Sequence, residues 1–218
     1  MSFIRLLLQV VVLIGFSNSF AGSFDDYFSA IELDNAAAVS ALMDRGFDPN
    51  TVNPQGLHGL IVALRVPALK VVAVLLSQPG ITADVRTPQD ESPLMIAALR
   101  GFLEVCEQLV AHDADVNKPG WTPLHYAATG GHVQVIRLLL DQHAYIDAAS
   151  PNGSTPLMMA AMYGSADSVK LLLEAGADSS LKNDLGLTAI DFATQANRSD
   201  AVDLIAASMR MLRPKGAW

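Results

Sequence analysis

The chain has 218 residues, of which 51% are hydrophobic and 17% are charged, and its formal net charge is −8 at pH 7. This apolar content is sufficient for a continuous core. The acidic balance argues against nucleic acid and anionic lipid surfaces as partners, because both require a basic patch. The single cysteine, Cys106, excludes an internal disulfide.

The first 21 residues have the pattern of a secretory signal peptide. Arg5 precedes an apolar run at residues 6–16, and small residues follow at Ser19 and Ala21. The run is too short to cross a bilayer as a helix, and no cysteine follows it that would carry a lipid anchor. We therefore predict export with cleavage after Ala21. The alternative is a cytosolic scaffold that keeps an N-terminal helix.

From about residue 24 onward, the chain is built from a repeated phrase. The phrase is most complete at residues 121–128, and it returns at 154–161 and, weakened, at 187–194. The threonines near the start of these three phrases stand 33 residues apart, at Thr122, Thr155 and Thr188. Earlier and less regular copies begin near Ser92, His58 and Asp25. The predicted units are residues 24–53, 54–87, 88–117, 118–150, 151–183 and 184–212, followed by a tail at 213–218.

One unit, residues 118–150, shows the local physical chemistry of all of them. Thr122 is expected to cap a first helix, and Pro123 lies at the first helical position, where no backbone N–H is needed. The glycine pair at 130–131 ends that helix, and a second helix at 133–140 carries a broad apolar face. A single unit cannot bury this face alone, so neighbouring units must stack. We predict an all-α repeat solenoid of about six helix-turn-helix units with degenerate terminal caps.

The 33-residue period and the Thr-Pro-Leu-His core at 122–125 resemble the ankyrin-repeat family. The resemblance covers nearly all of the chain after residue 24. It implies a partner protein that docks on the concave side, which is formed by the turn tips and the first helices. With its N-terminal pattern, the chain is similar to signal-peptide-bearing ankyrin-repeat proteins of Gram-negative bacteria. That similarity implies a periplasmic location and no known chemistry.

The sequence contains no zinc-type ligand spacing, no phosphate-binding loop and no nucleophile elbow. The family resemblance implies that His125 hydrogen-bonds across its turn and ties adjacent repeats. His58 stands where a capping threonine belongs, and we interpret it as the mark of a weak repeat. Cys106 falls on an inner position of a second helix, which predicts a buried structural thiol. We therefore predict no enzyme activity, no cofactor and no metal.

Family positions carried over one unit at a time predict a partner-binding strip. Aromatic residues, arginine and methionine are typical of interface hot spots, so Trp121, Tyr163, Met162, Leu99 and Arg100 form its predicted centre. The short connector at 117–120 is expected to open a notch beside Trp121. The alternative is that Trp121 and Tyr163 merely pack against one another and the next turn. The complete predicted strip is Glu91, Leu99, Arg100, Pro119, Trp121, Thr129, Asn152, Ser154, Met162, Tyr163, Leu185 and Leu187.

The predicted function is a non-enzymatic scaffold or adaptor of the cell envelope that binds another, unidentified protein as a monomer. We expect no nucleic-acid binding and no membrane insertion once the signal is removed. One alternative is an immunity or inhibitor protein for an envelope enzyme or toxin. Another is a small-molecule or hydrolytic site in the groove. That site would need converging titratable residues, for which Arg100 and Glu91 are the nearest candidates.

Overall fold

The computed structural model describes residues 22–212. The predicted signal peptide, its cleavage site after Ala21 and the tail at 213–218 lie outside these residues. The described part contains twelve helices and no strand, apart from one isolated antiparallel bridge between Val52 and His58. The prediction of an all-α helix-turn-helix repeat fold is therefore confirmed. None of the helices in this part combines the length and the apolar character needed to cross a membrane.

The chain divides into two compact units, one ending at Pro88 and one starting at Gln89. The first unit contains α1 (residues 22–32), α2 (Ala36–Asp44), α3 (Gly59–Arg65) and α4 (Leu69–Leu76). In it, α4 packs against both α2 and α3.

The second unit contains four helix pairs. Their first helices are α5 (Pro93–Arg100), α7 (Pro123–Gly130), α9 (Pro156–Tyr163) and α11 (Ala189–Gln195). Their second helices are α6 (Leu103–Ala111), α8 (Val133–Asp141), α10 (Ala166–Glu174) and α12 (Ser199–Leu212). Each first helix packs against the next first helix, and each second helix against the next second helix. The pairs thus stack as two layers, which is how a repeat buries an apolar face that it cannot bury alone.

The Thr-Pro phrase starts the first helices as predicted. Thr122 caps α7 and Thr155 caps α9, and in both cases the residue three positions later returns a contact to the cap backbone. These reciprocal contacts satisfy two of the N–H groups that a helix start leaves without partners. Immediately behind the caps, paired alanines are fully buried at 97–98, 127–128 and 160–161. Their small side chains let neighbouring first helices approach closely.

The reversal after α7 occurs at the predicted glycine pair, and the reversal after α11 has the same backbone geometry. Gly131 has a φ of 69° and Asn197 a φ of 55°, so both adopt the left-handed conformation that ends a helix sharply. After α9 the chain turns differently, since Gly164 is extended with a φ of −78°. Ser165 then caps α10 by accepting a hydrogen bond from the Ser168 N–H at 3.1 Å.

The loops that close each repeat are joined by a recurring side-chain bond. Asn50 Oδ1 accepts from the Thr82 N–H at 2.9 Å in the first unit. In the second unit, Asn117 Oδ1 accepts from the Tyr145 N–H at 2.8 Å. These bonds occupy backbone donors that the loops leave outside any helix. They therefore help to hold successive turn tips at a constant spacing within each unit.

Candidate functional site

The twelve residues of the predicted strip all lie in the second unit, and their exposure differs. Six are exposed: Leu99, Arg100, Pro119, Asn152, Tyr163 and Leu185. Five are partly exposed: Glu91, Trp121, Thr129, Met162 and Leu187. Ser154 is buried, with 1% of its surface accessible. The structure therefore contradicts the placement of Ser154 on a presented surface.

Part of the strip surrounds an open apolar pocket of about 220 Å³, which we call the Trp121 pocket. It lies on the first helices α5, α7 and α9 and on the connector that precedes α7. Its lining residues are Leu99, Trp121, Tyr126, Thr129 and Met159. The structure thus brings together three strip residues, namely Leu99, Trp121 and Thr129. Met162 and Tyr163 are not among the lining residues, although both were predicted at the centre of the strip.

Tyr126 and Met159 are the two lining residues that the sequence analysis missed. Each lies four residues after a capping threonine and three residues before a predicted strip position, Thr129 or Met162. Residues three apart on a helix share a face. Helical periodicity applied to the predicted positions would therefore have identified Tyr126 and Met159.

The short connector at 117–120 positions Trp121 through a buried lysine. The side chain of Lys118 is only 7% exposed, and its Nζ lies 2.5 Å from Asp90 Oδ2. The same ammonium group donates to the Trp121 carbonyl at 3.2 Å. A buried charge is tolerated only when it is paired and hydrogen-bonded. Lys118 therefore links the backbone at Trp121 to the loop that precedes α5.

The Trp121 ring has a defined packing partner. Its centroid lies 5.3 Å from that of the His125 ring, and the two planes meet at 78° in an edge-to-face arrangement. Tyr163 is 58% exposed and makes no ring contact with Trp121. The alternative in which Trp121 and Tyr163 pack against one another is thus not what the structure shows. Trp121 both packs on His125 and lines the pocket.

One edge of the pocket is polar. The Tyr126 hydroxyl donates to Glu91 Oε1 across 3.4 Å, a long and weak hydrogen bond. Burial first, and the negative charge of Glu91 second, raise the pKa of the Tyr126 phenol to about 12. The phenol is therefore a neutral donor at physiological pH.

His125 is fully buried beneath the pocket and connects two repeats. Its Nδ1 lies 2.8 Å from Thr122 Oγ1 in its own repeat, and its Nε2 lies 2.9 Å from the Ser154 carbonyl oxygen in the next. Burial lowers the pKa of the ring to about 4, and its bonds to backbone carbonyls oppose that shift only in part. The ring is therefore neutral near pH 7. This geometry confirms the tying role that the family resemblance implied.

The imidazole of His58 and the thiol of Cys106 both have structural roles. His58 is the N-cap of α3, and its Nδ1 accepts from the Leu60 N–H at 3.1 Å. It therefore takes the capping role of the expected threonine, and it belongs to the fold. Cys106 is fully buried, which confirms its predicted inner position, and burial raises the pKa of its thiol to about 12. Within residues 22–212, no cluster of three or more His, Cys, Asp or Glu side chains is placed to hold a metal ion.

The fold and this surface define a helical-repeat binding scaffold. The family model for ankyrin repeats matches residues 60–150 and 142–211. The chain belongs to the ankyrin-repeat family. Members of this family generally mediate protein–protein interaction, and the fold is generally a non-enzymatic scaffold.

Two solved structures show the same fold. The human ASB11 ankyrin repeat domain is 28% identical, with a TM-score of 0.74 over 84% of this chain and 81% of that chain. An ankyrin repeat domain from Acinetobacter baumannii is 23% identical, with a TM-score of 0.72 over 84% of this chain and 97% of that chain.

The curated relatives share the repeats over part of their length. Protein phosphatase 1 regulatory subunit 27 of Mus musculus is 32% identical over 93 residues, which is 41% of this chain and 60% of the relative. The 26S proteasome non-ATPase regulatory subunit 10 of Dictyostelium discoideum is 33% identical over 86 residues, which is 38% of this chain and 37% of the relative. Across six such relatives, the matched part spans between 9% and 60% of the relative's length.

Proposed function

We propose that this protein is a non-enzymatic scaffold of the bacterial cell envelope that docks a partner protein through the Trp121 pocket and the exposed residues around it. The observation that carries the proposal is the open apolar pocket, with Leu99 39% exposed at its edge. Apolar surface that a monomer leaves exposed next to polar groups is typical of interaction sites. Two relatives, from mouse and Dictyostelium, bear names of regulatory subunits, which agrees with a role in binding another protein.

The size of the pocket supports one inserted side chain of a partner protein. Small-molecule sites usually have volumes of roughly 300–1,000 Å³, whereas the Trp121 pocket measures about 220 Å³. Its walls are apolar, and the polar group at its edge is a neutral phenol that is already bonded to Glu91. This chemistry suits an aliphatic or aromatic anchor. An immunity or inhibitor function would be one form of the same proposal, acting through the same surface.

The location is supported by the N-terminal pattern of Arg5, the apolar run at 6–16 and the small residues at 19 and 21. The proposal requires that the protein be processed and exported. Mass spectrometry of the protein recovered from a periplasmic extract tests this directly, and the expected N-terminus is Gly22. A cytosolic protein that retains Met1 would contradict the envelope part and leave the binding surface to be tested separately.

Two exposed tyrosines provide a matched test of the binding surface. Tyr163 lies in the predicted strip, whereas Tyr145, which is 68% exposed, lies outside it. A photoreactive phenylalanine analogue is placed at one position or the other, and cells are irradiated before the envelope fraction is analysed. We expect one dominant cross-linked protein with the probe at 163 and none with the probe at 145. The same products from both positions would contradict the proposed face.

The protein captured at 163 then allows affinity measurements. Leu99→Asp places a charge at the pocket edge, where the side chain is 39% exposed and the carboxylate can reach water, so the fold is expected to persist. Loss of an anchor contact of at least about 1.4 kcal/mol weakens binding at least tenfold. Ser154→Ala is the control, since Ser154 is buried, and it should leave the dissociation constant unchanged. Equal affinity of wild type and Leu99→Asp, measured by calorimetry, would exclude the pocket as the anchor site.

A further inference from the structure

A second surface lies at the N-terminal end of the first unit. The helices α1 and α2, joined by the short turn at 33–35, form an antiparallel hairpin. The hairpin carries an open groove of about 460 Å³ on one side. The residues that line it are Asp26, Ser29, Ala30, Leu33, Asn35, Ala38, Ala41, Leu42 and Arg45.

The groove combines apolar and charged residues. Its exposed apolar residues include Leu33, which stands at the turn with 77% of its surface accessible, and Ala41, whereas Ala30 and Leu42 are buried in the floor. An apolar centre with charged groups at its edge is the composition of a protein interface. The groove is distinct from the Trp121 pocket, which lies in the second unit.

The two charged residues that line the groove, Asp26 and Arg45, indicate what kind of molecule binds in it. Asp26 lies seven residues before Leu33, and Arg45 lies ten residues after Asn35. At about 1.5 Å per residue, they stand roughly 10 Å and 15 Å from the turn, on opposite helices but at the same end of the hairpin. Both are exposed. Neither takes part in an ion pair within the part of the chain that the structure describes.

We propose that this groove binds the same groove of a second copy of the chain, forming a two-fold symmetric dimer. A two-fold axis parallel to the hairpin places α1 of one copy over α2 of the other. Asp26 of each copy then faces Arg45 of its partner, so the contact has two ion pairs at one end, the two Leu33 side chains at the turn end, and the alanines of the groove between them. An interface of this kind is self-complementary, as two-fold symmetry demands.

The first test is the mass of the protein in solution. Protein recovered from cells that express the full chain is measured by light scattering over a range of concentrations. We expect a shift from the mass of one chain to that of two as the concentration rises. Leu33→Glu should abolish the two-chain species, because it places two carboxylates in the apolar end of the contact, at a position exposed enough to preserve the fold. A single-chain mass at every concentration, or a dimer unaffected by Leu33→Glu, overturns the proposal.

Mixing two charge variants tests the symmetry itself. Asp26→Arg alone places two arginines opposite each other in both contacts, and Arg45→Asp alone places two aspartates there. Each variant should remain a single chain at concentrations where the wild type is dimeric. An equimolar mixture pairs the new arginine with the new aspartate and the native Asp26 with the native Arg45, so it should recover the two-chain mass.

Recovery on mixing requires that residues 26 and 45 of different copies face each other. A groove covered by another segment of the same chain, or by a different protein, gives no such recovery. That outcome overturns the proposed dimer. Unfolding curves of the two variants, compared with wild type, verify that the single-chain mass does not come from loss of folding.

Discussion

At the scale of single residues, the molecule uses one histidine to perform two structural tasks. His125 bonds to its own helix cap and to the Ser154 carbonyl of the next repeat. Met95 and Met158 occupy the matching positions and keep only the first task, since each sulfur accepts from the N–H of its cap residue at 3.3 and 3.4 Å. A thioether has no proton to donate. The second bond is therefore specific to the contact between the repeats of α7 and α9.

This comparison predicts the effect of His125→Met. The variant loses the bond to the Ser154 carbonyl, so its free energy of unfolding at pH 7 should fall by about 1 kcal/mol. At acidic pH the order should be reversed, with His125→Met at least as stable as the wild type. The pKa of His125 is lowered to about 4 in the folded state, below the value of about 6.5 in the unfolded chain. The unfolded chain therefore binds the proton more readily, and stability is lost as the pH falls from about 6.5 to about 4.

At pH 5 this proton uptake lowers the stability of the wild type by about 2 kcal/mol, a loss that His125→Met does not share. Urea denaturation at pH 7 and pH 5 should therefore show the wild type more stable at pH 7 and the variant equal or more stable at pH 5. Met158→Leu changes the matching position without changing a titratable group, so it should keep the wild-type pH dependence. A constant difference between His125→Met and wild type at both pH values would contradict the neutral, buried state of the ring.

At the scale of secondary-structure elements, the spacing between α7 and α9 depends on one glycine. Gly164 ends α9 with an extended φ of −78°, which any residue adopts, so its backbone conformation does not require glycine. The narrow space around Gly164, however, does require glycine. A Cβ at this position would lie 2.4 Å from the Ala128 carbonyl oxygen of α7. The Arg198 guanidinium also donates to the Gly164 carbonyl, which fixes the chain from the other side.

Gly164→Ala is therefore predicted to destabilise the protein by about 1–3 kcal/mol, because a backbone atom has to move. The change is measured by urea unfolding. Gly22→Ala is the control, because no atom lies within 4 Å of the Cβ position of Gly22 and its backbone is not left-handed. An equal loss of stability in both variants would mean that replacing a glycine, and not the approach of α7 to α9, sets the cost.

The predicted ends of secondary-structure elements can also be compared with the structure. The helix α8 begins at its predicted first residue and ends one residue beyond its predicted end. These ends follow from caps and reversals that lie within a few residues of each other.

The side chain of Ser154 was wrongly predicted to be exposed, because its surroundings come from residues of a neighbouring repeat. Its carbonyl accepts from the His125 ring of the preceding repeat and its N–H donates to the Ser150 hydroxyl, while its buried hydroxyl has no hydrogen-bond partner.

At the scale of the whole molecule, the balance of charge limits the possible partners. With a net charge of −8 and an isoelectric point near 4.9, the chain repels phosphate backbones. Non-specific DNA binding draws its affinity from cation release by lysine and arginine. We therefore expect no retardation of double-stranded DNA in a gel-shift experiment at about 50 mM salt, where such binding is strongest. A DNA complex that weakens steeply with added salt would contradict this exclusion.

The sequence by itself determined the repeat period, the helix pairs and the caps, because these depend on contacts within a few residues and on a pattern repeated along the chain. It also placed Leu99, Trp121 and Thr129 on the surface that bears the pocket. Helical periodicity could also have identified Tyr126 and Met159, whereas only the tertiary structure decided that Met162 and Tyr163 do not line the pocket. The lining of a pocket depends on how closely α5, α7 and α9 approach and at what rotation. Buried alanines, Gly164 and the Lys118–Asp90 ion pair set that approach across residues distant in the chain.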